Sequence, residues 1–188
     1  GCIPAVLFAA LKPERVRALI LFGCGRLLAE CDANTTPEEA LARQIDAVQA
    51  RWGLPLFVGT LAPSLAHDPA FRRYWATLLR YSGTPGEAVA MLRLAAGSNL
   101  RPLLPALGLP TLILHRQGDR HCSLADSQKL ASHLPQARYI ELPGDDHMPW
   151  AGASDSVLDA IQRFLATVPN EPRSVQYVGC ALAIGAQG

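Results

Sequence analysis

Pro143-Gly144-Asp145-Asp146-His147-Met148-Pro149-Trp150 is a Gly/Asp-rich loop that presents one histidine just after the apolar run Ala137–Leu142. An amphipathic pattern follows it: Ser154 or Asp155 can cap a helix, and Val157, Leu158, Ile161, Phe164 and Leu165 recur at helical spacing as a core-facing stripe. Upstream, a second apolar run from Pro110 to His115 ends in Arg116-Gln117-Gly118-Asp119-Arg120, a turn carrying one acidic residue. Ser123 can cap a helix running to about His133 between the two runs. Strand, helix, strand in that order demands parallel neighbours. An acid, Asp119, and an imidazole, His147, then both lie just past the carboxyl ends of adjacent strands, where an open α/β sheet keeps its site.

The amino-terminal part extends the same pattern. Pro4 to Leu11 is apolar on nearly every side and stops at Pro13, which suits a short buried helix. Val16 to Phe22 reads as a further parallel strand covered on both faces, closed by Gly23 and Gly25. From about Arg26 to Gly108 the pattern is helical. Thr36-Pro37-Glu38-Glu39 and Thr84-Pro85-Gly86-Glu87 are capping boxes with proline at the first helical position, and Asp68-Pro69 opens a third helix. Phe71, Trp75, Leu78 and Leu79 give that third helix one oily face. The fold class is therefore α/β, with three parallel strands, flanking helices and a helical cap insertion; residues 1–168 form the domain, and 169–188 are a linker or the start of a following segment.

Composition excludes several functions. Seventeen basic residues against sixteen acidic, scattered along the chain, leave no electrostatic footprint for nucleic acid or an anionic membrane. The apolar start is too short to span a bilayer and lacks a basic leader, so it reads as the truncated interior of a longer chain. Cys2, Cys24, Cys31, Cys122 and Cys180 show neither paired spacing nor a zinc pattern, so unpaired thiols in a reducing, cytoplasmic setting are expected and no metal or cofactor is implied. His121 beside Cys122 is a metal hint with no second pair.

In chemical terms a carboxylate can fix the tautomer of a histidine and stabilise the imidazolium, which leaves the other ring nitrogen as a general base. Asp119 and His147 have the residue types and positions for this, while Asp145 and Asp146 read as turn or supporting residues. Each has a plainer reading too, as a turn former and a loop histidine. Trp75, Met148 and Trp150 are candidates for lining an apolar substrate pocket, although the plainer reading of Trp75 is that it packs helices together, and Trp150 can equally plug the start of the last helix. No Gly-x-Ser-x-Gly occurs in the sequence, and Ser64, Ser82, Ser98, Ser123 and Ser127 all lack a strand-to-helix elbow.

These stretches together resemble the carboxyl-terminal part of the α/β-hydrolase fold. Leu7-Phe8-Ala9-Ala10 with Pro13 to Leu19, then Pro110 to Arg120, then Ala137 to Trp150, are most similar to bacterial hydrolase domains fused to adenylate or guanylate cyclase or other signalling domains. The resemblance implies that Asp119 is the triad acid, that His147 is the triad base, and that Gly1 is the last glycine of the nucleophile elbow. The serine then lies two positions before Gly1, outside this sequence. It further implies hydrolysis of an ester or similar small acyl substrate or, as the alternative, a ligand-sensing hydrolase-like module of a signalling protein. The sequence departs from the family at His121-Cys122-Ser123, where small apolar residues and a proline are usual. Val175 to Ile184, where a fused cyclase would begin, holds no aspartate for catalytic metals.

Overall fold

The middle strand of the sheet, Thr111–Arg116, is buried at all six positions, as its apolar centre Leu112-Ile113-Leu114 requires when helices cover both faces. The computed structural model describes residues 1–24 and 36–169. In chain order the elements are α1 (Cys2–Leu11), β1 (Leu19–Phe22), α2 (Pro37–Arg51), α3 (Val58–Leu61), α4 (Pro69–Ser82), α5 (Pro85–Gly97), β2 (Thr111–Arg116), α6 (Leu124–Ser132), β3 (Ala137–Leu142) and α7 (Ser154–Leu165). Short 3₁₀ turns lie at Pro13–Arg15, Pro63–Leu65 and Arg101–Ala106. The described strands form a parallel sheet in the order β1-β2-β3. Leu21 pairs with Ile113, and Ile113 with Tyr139.

Alternation along the strands sorts the apolar residues between two cores. Leu19, Leu21 and Ile113 face α1 and α6, where Ala5, Val6, Ala9 and Leu130 are buried. Leu112, Leu114 and Leu142 face α7, against Val157, Ala160 and Phe164. Each large aliphatic side chain among these contributes about 1.5–3 kcal/mol by burial. Between β1 and β2 the chain leaves the sheet for α2 to α5, in which Val48, Leu56 and Val89 make a separate small core. Both expected capping boxes are formed, Thr36 with Glu39 and Thr84 with Glu87, and Asp68 caps α4 through the Ala70 N–H.

Several expectations are corrected. Strand β1 begins at Leu19, not Val16, because Pro13–Arg15 forms a 3₁₀ turn whose last carbonyl-linked residue is Val16. Helix α7 starts at Ser154 after Ala153 with no side-chain cap, and Leu158 is 51% exposed while Ala160 takes the inward position. Leu78 on α4 is likewise exposed. Cys2 and Cys24 are bonded through their sulfurs, with Cα atoms 6.1 Å apart, contrary to the expectation of unpaired thiols. Their separation of 22 residues carries no local signature; the packing of α1 against β1 brings them together. Gly25, Arg26, Cys31 and the segment holding Val175 to Ile184 lie outside the described residues. No described helix is long and apolar enough to cross a membrane.

Ile113 is fully buried, so Ile113→Ala is expected to lower unfolding free energy by about 2–5 kcal/mol. Thr84→Ala, at an exposed cap, is expected to cost about 1 kcal/mol. Denaturant midpoints of the two variants check this order, and a larger loss at Thr84 would contradict the assignment of the sheet as the main core.

Candidate active site

The turn Gln117-Gly118-Asp119 follows β2 directly, and the His147 loop follows β3, so parallel pairing places both turns at one end of the sheet. The Asp119 side chain is fully buried, and its Oδ2 lies 2.8 Å from Nδ1 of His147, whose side chain keeps 21% of its exposure. Its other oxygen, Oδ1, accepts from the backbone N–H groups of His121 at 2.7 Å and Cys122 at 3.2 Å. Burial pushes the Asp119 carboxyl up, but the hydrogen bond and charge of His147 and the two backbone donors outweigh it, so its pKa lies below the ordinary value of 3.8. An ionised carboxylate only accepts, so Nδ1 of His147 carries a proton, and in the neutral ring Nε2 is the nitrogen that keeps its lone pair.

Three features fix the histidine. Gly23, at φ 61° just past β1, sits where any side chain would collide: a Cβ there would lie 2.6 Å from Cε1 of His147. Arg116, fully buried at the end of β2, donates through Nη1 to the carbonyls of Asp146 at 3.1 Å and Met148 at 3.3 Å, one on each side of His147. Its Nη2 donates to the Pro149 carbonyl at 3.4 Å. Asp146 balances the cation at 3.6 Å and accepts through Oδ1 from the Ser64 N–H at 3.0 Å. Burial pulls the Arg116 guanidinium below its ordinary pKa, with Asp146 and Asp119 acting against that shift. The Met148 N–H donates to the Leu61 carbonyl at 3.0 Å, a second link between the loop and the helices inserted after β1.

The structure thus brings Asp119 and His147 together and places the pocket candidates at different depths. Trp75 is buried within the inserted helices, its indole N–H donating to the Leu56 carbonyl at 2.9 Å, and it stacks on Phe71. Trp150 is 42% exposed and its ring is tilted against Phe71, centroids 5.9 Å apart. Met148 adjoins His147 and is bound through its backbone on both sides. Arg116 was not singled out from sequence, although a cation at the end of a strand with a buried apolar centre is the signal that marks it. His115 is also buried: its Nδ1 meets Ser127 Oγ at 2.7 Å, and its Nε2 stands 3.9 Å from Asp119. Burial pulls its pKa below 6.5 against the opposing charge of Asp119, so it is neutral at pH 7.

No protein-family model matches the sequence. A pimeloyl-[acyl-carrier protein] methyl ester esterase of Xanthomonas campestris pv. campestris is 33% identical over 169 residues, which cover 87% of this chain and 67% of that protein. The chain belongs to this esterase family. The enzyme of the same description from Xanthomonas oryzae pv. oryzae is 37% identical over 106 residues, 55% of this chain, and the chain spans 42% of that relative's length. Among solved structures, a thermophilic esterase from Thermogutta terrifontis superposes with a TM-score of 0.64 at 25% identity, over 86% of this chain and 60% of that one. A bromoperoxidase from Bacillus anthracis gives 0.76 at 16% identity, over 88% and 64%. The fold of this family member is accordingly the α/β-hydrolase fold. None of these relatives is described as fused to a cyclase domain.

Two outcomes follow from the site. Arg116→Ala removes the cation that faces buried Asp146 and three carbonyls, and is expected to cost about 3–5 kcal/mol in denaturant unfolding; a loss below about 1 kcal/mol would contradict its place as the loop's anchor. For pH, the folded-state pKa values of His115 and Asp119 both lie below their ordinary values of 6.5 and 3.8. The unfolded chain therefore takes up each proton first, and stability present above each ordinary value is lost as pH falls through the lowered one. The unfolding midpoint is expected to fall on acidification below pH 6.5, and His115→Asn to flatten that first decline. An unchanged wild-type slope in the variant would contradict it.

Proposed function

We propose that this chain supplies the acid and the base of a serine esterase: Asp119 orients His147, and His147 acts as general base and then general acid. The observation that carries the reading is the 2.8 Å Asp119–His147 hydrogen bond at the carboxyl end of the sheet, which engages Nδ1 and makes Nε2 the nitrogen available to a serine. The amino-terminal end of α1 supports it. Cys2 is bonded to Cys24, which adjoins Gly23, which in turn rests against His147, so the helix start lies at the same edge of the sheet.

In this reading the nucleophilic serine stands two positions before Gly1, and Gly1 closes the elbow. Nε2 of His147 takes the serine proton as Oγ attacks the ester carbonyl. The tetrahedral adduct collapses, and the alcohol leaves with the proton that His147 returns. Water then attacks the acyl-enzyme, giving its proton to Nε2, and the acid and free serine are released. The oxyanion donors include the N–H of the residue after the serine, also ahead of Gly1. Membership of the family points to the methyl ester of a carrier-bound acyl chain as substrate, with a carrier protein as partner. Met148 and Trp150, next to the histidine, would line the acyl side, and Trp75 would support that wall from behind Phe71.

The test is a longer chain that carries the preceding segment, assayed on short acyl methyl and aryl esters. Asp119→Asn is expected to lower kcat by about 10⁴-fold with little change in KM, and His147→Ala by at least about 10³-fold. Turnover by His147→Ala equal to that of the unsubstituted enzyme would remove the proposal.

A further inference from the structure

We propose that His121, Cys122 and His147 form a binding site for a borderline-soft divalent cation, zinc by its chemistry, and that occupying it withdraws His147 from acid–base work. Each of the three offers one ligand atom, and these atoms all lie within 4.8 Å of one another. The imidazole rings of His121 and His147 are 4.5 Å apart and tilted by 55°. Zinc bonds of about 2.0–2.1 Å to nitrogen and 2.3 Å to sulfur, arranged tetrahedrally, put ligand atoms about 3.3–3.8 Å apart. Closing the remaining distance takes side-chain movements of about an ångström, and His121 is half-buried.

Two imidazoles and a thiolate select zinc over magnesium or calcium, which take oxygen ligands. The support around the ligands is already built. Asp119 accepts from Nδ1 of His147 and from the backbone N–H groups of both His121 and Cys122, so one carboxylate holds all three ligands. A carboxylate behind a ligating histidine fixes the ring and leaves Nε2 for the metal. On binding, the Cys122 thiol releases its proton to buffer and forms the metal–sulfur bond. The thiolate and the Asp119 carboxylate together balance the dication. Three protein ligands leave a fourth position toward solvent, on the side where His147 keeps its exposure.

The binding stands on this geometry alone. The inhibition rests on the esterase reading, because a His147 ring that holds zinc cannot also take up and return the serine proton. The two parts separate experimentally. Titration of the 188-residue chain with zinc against a chromophoric chelator is expected to show one tight equivalent that both Cys122→Ser and His121→Asn weaken at least about 10-fold, with Asp119→Asn weakening it about 10–100-fold. Cobalt(II) in place of zinc is expected to give a thiolate-to-cobalt charge-transfer band in the wild-type chain and none in Cys122→Ser. Circular dichroism shows whether each variant is folded, and the more exposed His121→Asn decides the matter if Cys122→Ser is not. Absence of a tight equivalent, equal affinity in folded His121→Asn, or a cobalt spectrum without the band would overturn the site. In the longer chain zinc is expected to suppress ester turnover reversibly, restored by a chelator. Full turnover with the site loaded would overturn the inhibition and leave the site standing.

Discussion

A single carboxylate, that of Asp119, is the constraint on which the rest depends. It is buried at the end of the central strand, where an unpaired charge would be costly, yet it is held ionised by one imidazole N–H and two backbone N–H groups. Those partners come from two different turns. The turn after β2 must therefore wrap back on its own acid, while the loop after β3 must deliver a histidine to within hydrogen-bond reach. Burial strengthens each of these bonds by excluding water, and the same carboxylate thereby sets the tautomer of the ring that remains partly open to solvent.

The histidine is correspondingly restrained from several sides. Arg116 grips the carbonyls before and after it, Gly23 leaves it room from the first strand, and Asp146 and Met148 fasten its loop to the inserted helices. An arginine is suited to this, because its planar fork reaches several acceptors at once and does not lose its charge. The inserted helices consequently bear on the site in two ways: they tie down the loop, and through Phe71 they meet Trp150 just beyond it. Movement of those helices is coupled to the position of the imidazole by these contacts.

Much of this was legible in the sequence, for physical reasons that differ by element. The strands announced themselves as apolar runs closed by turns, and the parallel order followed from the helix between β2 and β3. Thr36, Thr84 and Asp68 are local signals and read correctly because a cap needs only its own first turn. Asp119 and His147 were singled out by their place after adjacent strands, and the structure brings their side chains into hydrogen-bond contact. What sequence did not reveal depends on tertiary packing. The partnership of Cys2 with Cys24, the three carbonyls on Arg116, and the approach of His121 and Cys122 to His147 join residues whose spacing has no local meaning. The outward turn of Leu158 and Leu78 shows the complementary limit, since helical spacing fixes a face but not how much of it the neighbours cover.

The central claim is that a buried, ionised Asp119 holds His147 with its proton on Nδ1 and its lone pair on Nε2. The most direct measurement is the long-range proton–nitrogen NMR correlation of the His147 ring in uniformly ¹⁵N-labelled protein, taken at a pH where the ring is neutral. The account predicts nitrogen shifts of a protonated Nδ1 and a bare Nε2. A neutral ring protonated on Nε2, or one whose two nitrogens show the exchange-averaged shifts of free histidine, would contradict it.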